Sequence, residues 1–370
     1  IQPADLTQAL AKGARARGAE IYRNTTVTGF ERTPSGEWIV KTDQGDITCE
    51  HVVSATGSFA RQTGRMVGLD IPVMPVEHQY IVTDAHPEIL KRKEQGLPEM
   101  GVLRGSDGEW YMREERGGLI LGPYEHGAPA CYVDGPSEDC EYELFQEDLE
   151  RLEPHIEHAI MRVPAFGEVG VKQVYNGAIA YTPDGNPIVG PAWDVPNFWL
   201  SEGHSFGITA AGGGGKFLAE WIVEGTPQVD PHAMDINRFY PFQKERDYIR
   251  GRCYENAQKI YNPPVHPREP WATGRDVFHS PFYAREKELG GFFDNEIAGW
   301  ERAYAYASNE QKLADYIKKV PVREHEWDRR HVPYEIANAE HLAMSDGAGM
   351  INLSHFAIFD LEGPDAEALL

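Results

Sequence analysis

The run NGAIAYTPDGNPIVGP (residues 176–191), followed closely by EGHSFGITAAGGGGKFLAEWI (residues 202–222), constrains this chain more than any other feature. Thr182-Pro183-Asp184-Gly185 has the composition of a tight turn, since proline presets φ and glycine accepts positive φ. In the second segment small residues open a helix, so main-chain N–H groups can approach a ligand that a β-carbon would block. The positive end of that helix favours an electron-rich or anionic group. Read from the residues alone, the same pattern also describes a turn and a loop between a strand and a surface helix.

Further segments in fixed order narrow the choice: HVVSATGSFAR (51–61), PVEHQYIVTD (75–84), EWYMREERGGLILGPYE (109–125) and the C-terminal run that begins at Trp327. Together with the two opening segments they resemble the dimethylglycine dehydrogenase and sarcosine dehydrogenase family of flavin amine oxidoreductases over nearly the whole chain. The resemblance implies an FAD-binding oxidoreductase fold of α/β and α+β class with an antiparallel-sheet substrate cap. It also implies a following segment that begins a folate-binding, aminomethyltransferase-like domain. The expected divisions are 1–225 for the oxidoreductase domain, with the cap at about 68–166, then 226–290 as a connecting domain and 291–370 as the start of the folate domain. Family members open with a strand, a G-x-G-x-x-G turn and a helix that hold the FAD pyrophosphate, and this N-terminal dinucleotide motif is missing here. Gly212–Gly215 before Lys216 lacks the upstream glycine and the Ser/Thr of a P-loop. The chain therefore reads as an internal stretch of such a protein.

Composition sets outer limits. With 58 acidic against 35 basic residues the formal charge is −23, which argues against nucleic acid or an anionic membrane surface as partner. Cys49, Cys131, Cys140 and Cys253 show no C-x-x-C spacing, so neither a zinc site nor a disulfide framework is expected, and no metal is assigned. No stretch reaches the roughly 20 apolar residues of a membrane span. Reduced thiols fit a bacterial cytoplasm or a mitochondrial matrix.

Along the chain, Leu6, Ala9, Leu10 and Ala14 have helical spacing up to Gly18, and EIYRNTTVTGF (20–30) reads as a strand, together half of a parallel β-α-β layer. EWIVKTDQGDITCEHVV (37–53) alternates around Gln44-Gly45 as an antiparallel meander. The next strand ends at Ala55-Thr56-Gly57, and ligands of such sheets sit beyond the carboxyl ends of parallel strands. By resemblance, Thr56 and Gly57 face the cofactor, the backbone of Val27 approaches the adenine, and Ser205, Phe206, Gly207 and Ile208 line the flavin. Taken alone, these positions also read as a core valine and plain turns.

From Gly68 to Phe166 the strands HQYIVT, EWYMREE and GLILGPYE form the cap, and the acidic run 134–150 leads into a helix. The acidic run reads as a solvated face. The resemblance makes His78 and Tyr111 the catalytic candidates. An amine must lose its proton before hydride leaves the N-methyl carbon, and a histidine titrating near neutrality can support that step. A tyrosine hydroxyl can position the amine. Without the resemblance, His78 is a strand histidine and Tyr111 a half-buried sheet aromatic. His204 is a rival acid/base candidate, and Tyr181 and Thr182 lie on the loop that faces substrate in the family. Arg113 is a candidate for a substrate carboxylate, though a structural role suits it better.

After Gly225 a Pro-rich, irregular stretch precedes the helical ERDYIRGRCYENAQKIY, and Trp271, Phe278, Phe282 and Phe292 read as packing anchors against the flavin domain. The final segment resembles the opening strands of the folate domain, with Asn352-Leu353-Ser354 where D-L-S is usual. The implied activity is FAD-dependent oxidative N-demethylation of a small methylated amine such as dimethylglycine or sarcosine. Electrons pass to an electron-transfer flavoprotein or oxygen, and in the complete protein tetrahydrofolate captures the formaldehyde. A different class of role is also represented in this architecture, a non-catalytic regulatory subunit of pyruvate dehydrogenase phosphatase.

Overall fold

A computed structural model describes residues 2–141, 143–259, 271–293, 295–321 and 333–369. The chain forms two compact units, Ile1–Pro263 and Pro264–Leu370.

The first unit opens with helix α1 (Pro3–Arg15), started by proline at its first turn and followed by Gly18 at φ +94°. Strand β1 (Val27–Arg32) is shorter than the expected 20–30. Its partner β2 (Trp38–Thr42) begins pairing only at Val27, and Asn24 just before it takes a positive φ of 53°. Strand β3 (Ile47–Cys49) completes the expected meander, in the order β1-β2-β3. The expected parallel layer is not built from α1 and β1, because β1 pairs antiparallel with β2. Parallel pairing occurs instead between β4 (Val52–Ser54) and a distant strand, β11, described below.

After the short helix α2 (Ala60–Arg65) the chain enters the cap sheet. Strand β5 (Met74–Thr83) is followed by helix α3 (Pro87–Glu94) and strands β6 (Leu103–Gly105), β7 (Trp110–Glu115) and β8 (Gly118–Pro123). Helix α4 (Leu149–Arg162) and strand β9 (Val171–Tyr181) close it. The spatial order β6-β7-β8-β5-β9 is antiparallel throughout. The sheet extends past residue 166, since β9 pairs with all of β5 from Met74↔Tyr181 to Thr83↔Val171. Strand alternation sends Ile81, Trp110, Met112 and Leu121 to one face, where they are buried with Leu152 and Ala159 of α4. The other face carries His78, Tyr80, Tyr111 and Arg113.

Strands β10 (Ile188–Pro191) and β11 (Phe198–Glu202) then form a second three-stranded sheet, ordered β10-β11-β4, with β11 parallel to β4. Its core joins the meander through Phe30, Trp38 and Phe198, whose rings meet edge to face at centroid distances of 5.4–6.2 Å. Helix α5 (Gly207–Glu224) packs its C-terminal half on this sheet through Leu218 and Trp221, and Gly225 caps it at φ +76°. Helix α6 (Arg246–Lys259), at the expected place, buries Ile249 and Cys253 against Met74 and Tyr181.

In the second unit, helix α7 (Tyr283–Glu288) precedes the hairpin β12 (Asn295–Ile297) and β13 (Trp300–Arg302). Helices α8 (Ser308–Lys312), α9 (Ala314–Ile317), α10 (Tyr334–Asp346) and α11 (Ala366–Leu369) follow. Of the expected aromatic anchors, Phe278 packs on Trp300 within this unit at 5.4 Å, and Phe282 is 54% exposed. The opening strands expected near the C-terminus do not form among the described residues 347–369. A strand needs a neighbour for its backbone groups, and here Met350, Ile358 and Phe359 stand almost fully exposed. No helix among the described residues is long and apolar enough to cross a membrane.

Candidate active site

The end of β4 and the end of β11 are tied by one carboxylate. Glu202 is fully buried and accepts hydrogen bonds from the Thr56 N–H (2.9 Å), the Gly57 N–H (2.9 Å), the Ser54 hydroxyl (2.7 Å) and the Thr56 hydroxyl (3.0 Å). Burial raises the pKa of its carboxyl, and these donors oppose the shift. Thr56 and Gly57 are thus held at the carboxyl end of a parallel strand, as expected for a ligand crevice.

Beside this clamp lies the loop that the opening motif forms. The side chain of Thr182 donates to the Asn186 carbonyl at 2.7 Å, and Arg238 holds Asp184 at 2.7 Å. The Ser205 hydroxyl donates to the Gly185 carbonyl at 3.3 Å, which joins the turn to the entrance of α5. Phe206 precedes α5 without a side-chain cap, so the first N–H groups of this 18-residue helix have no capping side chain. A β-carbon at Gly207, Gly212 or Gly213 would meet nothing within 4 Å, so the helix leaves open space along its first turns. His204 bonds the Ser201 hydroxyl at 2.9 Å through Nε2, its Nδ1 is buried without a hydrogen-bond partner, and burial lowers its pKa. An open helix N-terminus next to an orphaned ring nitrogen fits the electron-rich edge of a flavin.

The structure places Tyr181 and Thr182 inside the protein rather than on its surface. Tyr181 is 2% exposed in the core with Met74 and Ile249, while Thr182 is fully buried. Phe206 and Ile208 are each 40% exposed. Val27 stands apart, at the start of β1 in the meander and next to a register shift at Gly29.

The cap contributes a second cluster. His78 stacks on Tyr124 with ring centroids 6.0 Å apart, and Tyr124 lies 5.9 Å from Tyr111. Tyr111 faces Gly122 across the β7-β8 ladder, and a β-carbon there would overlap the tyrosine ring. Among the described residues neither His78 nor the Tyr111 hydroxyl has a hydrogen-bond partner, so both can address a ligand. Burial lowers the His78 pKa to about 4 and raises that of Tyr111 to about 12. The imidazole is neutral and the phenol protonated at pH 7, which differs from the expectation of a histidine titrating near neutrality. Arg113 is engaged by Glu115 at 2.7 Å. A cavity of about 370 Å³ runs along this face, lined by Tyr80, Tyr111, Arg113 and Tyr175 and by Gln2 and Pro3 at the start of α1.

Sequence reasoning passed over Glu202, Tyr124 and Gly122. A carboxylate closing the apolar run Phe198–Leu200 was a signal for the first. The other two needed the β7-β8 register, which no local pattern supplies. Gly122→Ala is expected to push the Tyr111 ring off its position, to destabilise the fold by about 1–3 kcal/mol and to lower turnover about tenfold. Chemical denaturation and steady-state kinetics on the variant check both effects, and unchanged values for both would show that the ring relaxes freely.

The FAD dependent oxidoreductase family (DAO) matches residues 1–221, and the FAD dependent oxidoreductase central domain matches residues 224–280. The chain belongs to the DAO family of FAD-dependent oxidoreductases. Mouse mitochondrial dimethylglycine dehydrogenase is 35% identical across the whole chain, and human mitochondrial sarcosine dehydrogenase is 31% identical across 99% of it. Each alignment takes in only 41% of the relative, so the chain spans well under half the length of these enzymes. The mitochondrial pyruvate dehydrogenase phosphatase regulatory subunit of mouse is 28% identical across the whole chain and 41% of that protein. Among solved structures, L-proline dehydrogenase from P. horikoshii superposes with a TM-score of 0.52 at 26% identity, over 64% of this chain and 60% of that one. The DAO-like fold expected from the sequence is the fold observed.

Proposed function

We propose that this chain carries the FAD-dependent oxidative N-demethylation of a small methylated amine of the dimethylglycine or sarcosine type. The observation that carries the reading is the cap-sheet face on which His78 and Tyr111, neither with a hydrogen-bond partner among the described residues, flank Tyr124. His78 in its neutral form accepts a hydrogen bond from the substrate nitrogen and orients it, since burial disfavours the imidazolium. Tyr111 donates from a hydroxyl that stays protonated up to about pH 12, and its ring covers the sheet beside the reacting methyl group. Thr56, Gly57 and Ser205–Ile208 would hold the FAD, with backbone N–H groups at the start of α5 directed at its electron-rich edge. When bound, FAD supplies the acceptor for the two electrons of the C–N oxidation. His204, Tyr181 and Thr182 support the wall of this site from behind the loop.

In the complete protein, hydrolysis of the oxidised amine gives formaldehyde, which tetrahydrofolate would capture, and electrons would leave to an electron-transfer flavoprotein or to oxygen. Residues 1–225 would carry the oxidation, 226–290 the connection and 291–370 the start of the folate-binding part. Asn352, the departure from the family's D-L-S, donates its amide to Ser280 (2.7 Å) and Glu286 (3.0 Å) and serves the internal packing of its unit. A bacterial cytoplasm or mitochondrial matrix is the compartment this chemistry suits.

The test is anaerobic addition of dimethylglycine or sarcosine to the flavin-loaded protein with the visible flavin band followed. Bleaching is the expected result. A flavin that stays oxidised with both amines would replace this reading with the regulatory one.

A further inference from the structure

His78 and Tyr124 bring their rings together on one face of the cap sheet, and the residues that follow them, Gln79 and Glu125, clasp each other behind it. Gln79 is fully buried and Glu125 is 3% exposed. Strand β5 pairs with β8 at Ile81↔Leu121 and Val82↔Ile120, and further along it the Glu77 N–H donates to the Pro129 carbonyl at 3.0 Å. Between these points the Glu125 carboxylate takes the place of a strand carbonyl. One of its oxygens accepts from the Gln79 N–H at 2.5 Å and the other from the Gln79 side-chain amide at 2.7 Å.

The Gln79 amide is used at both ends. Its oxygen accepts from the Asp148 N–H at 2.7 Å and its nitrogen donates to the Asp148 carbonyl at 3.1 Å, at the N-cap of α4. Arg151, in the first turn of α4, lies 3.2 Å from Glu125 and donates to Glu77 at 2.9 Å. An apolar pair could fill this space without fixing a register, whereas buried hydrogen bonds are directional and costly to leave unmade. They set Gln79 against Glu125, and with them the two rings one residue earlier. Arg104 of β6 also meets the Tyr124 ring, with its guanidinium 5.3 Å from the centroid.

We infer that the Gln79–Glu125 clasp is the positioning device for His78, acting on the reaction through the His78–Tyr124 stack without touching substrate. Its role in turnover rests on the amine-oxidation reading.

The experiment compares the flavin-loaded protein with Glu125→Gln, with Glu125→Asp and with the exchange Gln79→Glu/Glu125→Gln. In Glu125→Gln one N–H faces another whichever way the Gln79 amide turns, whereas the exchange can rebuild three of the four bonds among residues 79, 125 and 148 with donor and acceptor reversed. The first readout is the imidazole resonances of His78 in histidine-labelled protein without substrate, assigned with His78→Gln, because the Tyr124 ring current reports the stack directly. Turnover of dimethylglycine and the melting temperature are the second and third. Glu125→Gln is expected to displace the His78 resonances and to lower kcat on the order of tenfold, and the exchange to return the resonances and most of the turnover. Glu125→Asp keeps the charge and draws the carboxylate back by one methylene. It should displace the resonances too, and it carries the test if Glu125→Gln does not fold. Resonances that stay in place in the folded variants overturn the inference. So does an exchange that regains the melting temperature while the resonances stay displaced, since the clasp would then serve stability alone. If the resonances move and return as expected while the flavin of the unaltered protein stays oxidised with both amines, amine oxidation is refuted and the positioning of His78 stands.

Discussion

Replacing His78 by alanine is expected to lower turnover on the order of 100-fold while flavin remains bound, the size of loss when a group that orients the substrate is removed. The side chain of His78 stacks on Tyr124, whereas the groups proposed to hold the flavin lie on other elements, at the ends of β4 and β11 and at the start of α5. Turnover and flavin content are therefore expected to separate. The direction of the pKa shift adds a second signature. The folded-state value of about 4 lies below the ordinary 6.5, so between those values the unfolded chain takes up a proton that the folded chain refuses. Stability linked to His78 is complete above about pH 6.5 and is lost as pH falls toward 4. His78→Gln, which cannot titrate, should flatten that part of a melting-temperature profile and restore part of the turnover lost in His78→Ala. A turnover unchanged in His78→Ala would return the residue to a structural role.

Glu202→Ala is expected to have the largest effect on the cofactor side. The substitution leaves the Thr56 and Gly57 N–H groups without their acceptor, at about 1–3 kcal/mol each, against which stands the relief of a buried carboxylate whose pKa burial has raised. The net loss should be about 2 kcal/mol. For a unit of this size that lowers the melting temperature by about 4–8 °C. The strand ends at Thr56 and Gly57 lose their fixed position as well, so flavin is expected to leave the variant on gel filtration. Glu202→Gln should behave almost as badly, because its amide turns N–H donors toward N–H donors. A variant that keeps both its flavin and its melting temperature would show that the strand ends are held by their own ladder and not by Glu202.

Much of the site was legible because the chemistry and the local backbone are written in adjacent residues. The turn at Pro183-Asp184-Gly185, the small residues at the start of α5 and the end of β4 at Thr56 and Gly57 are short-range patterns, and each appears where its composition placed it. Strands β5, β7 and β8 and helices α4 and α6 follow from alternation and helical spacing in the same way. The errors came where an element depends on a partner. Residues 20–25 have strand composition but pair with no strand among the described residues, and the residues after Gly347 have apolar alternation but join no sheet among them.

The sequence by itself determined the family, the cap strands and the residues that carry the proposed chemistry, because each of these depends on residue type within a short window. Only the tertiary structure decided that β4 pairs with β11, that Glu202 closes their ends, that Gly122 makes room for Tyr111 and that Arg104 sits over the Tyr124 ring. Those facts depend on strand register and on burial, which bring together residues far apart in the chain and set the charge state of His78 by what surrounds it.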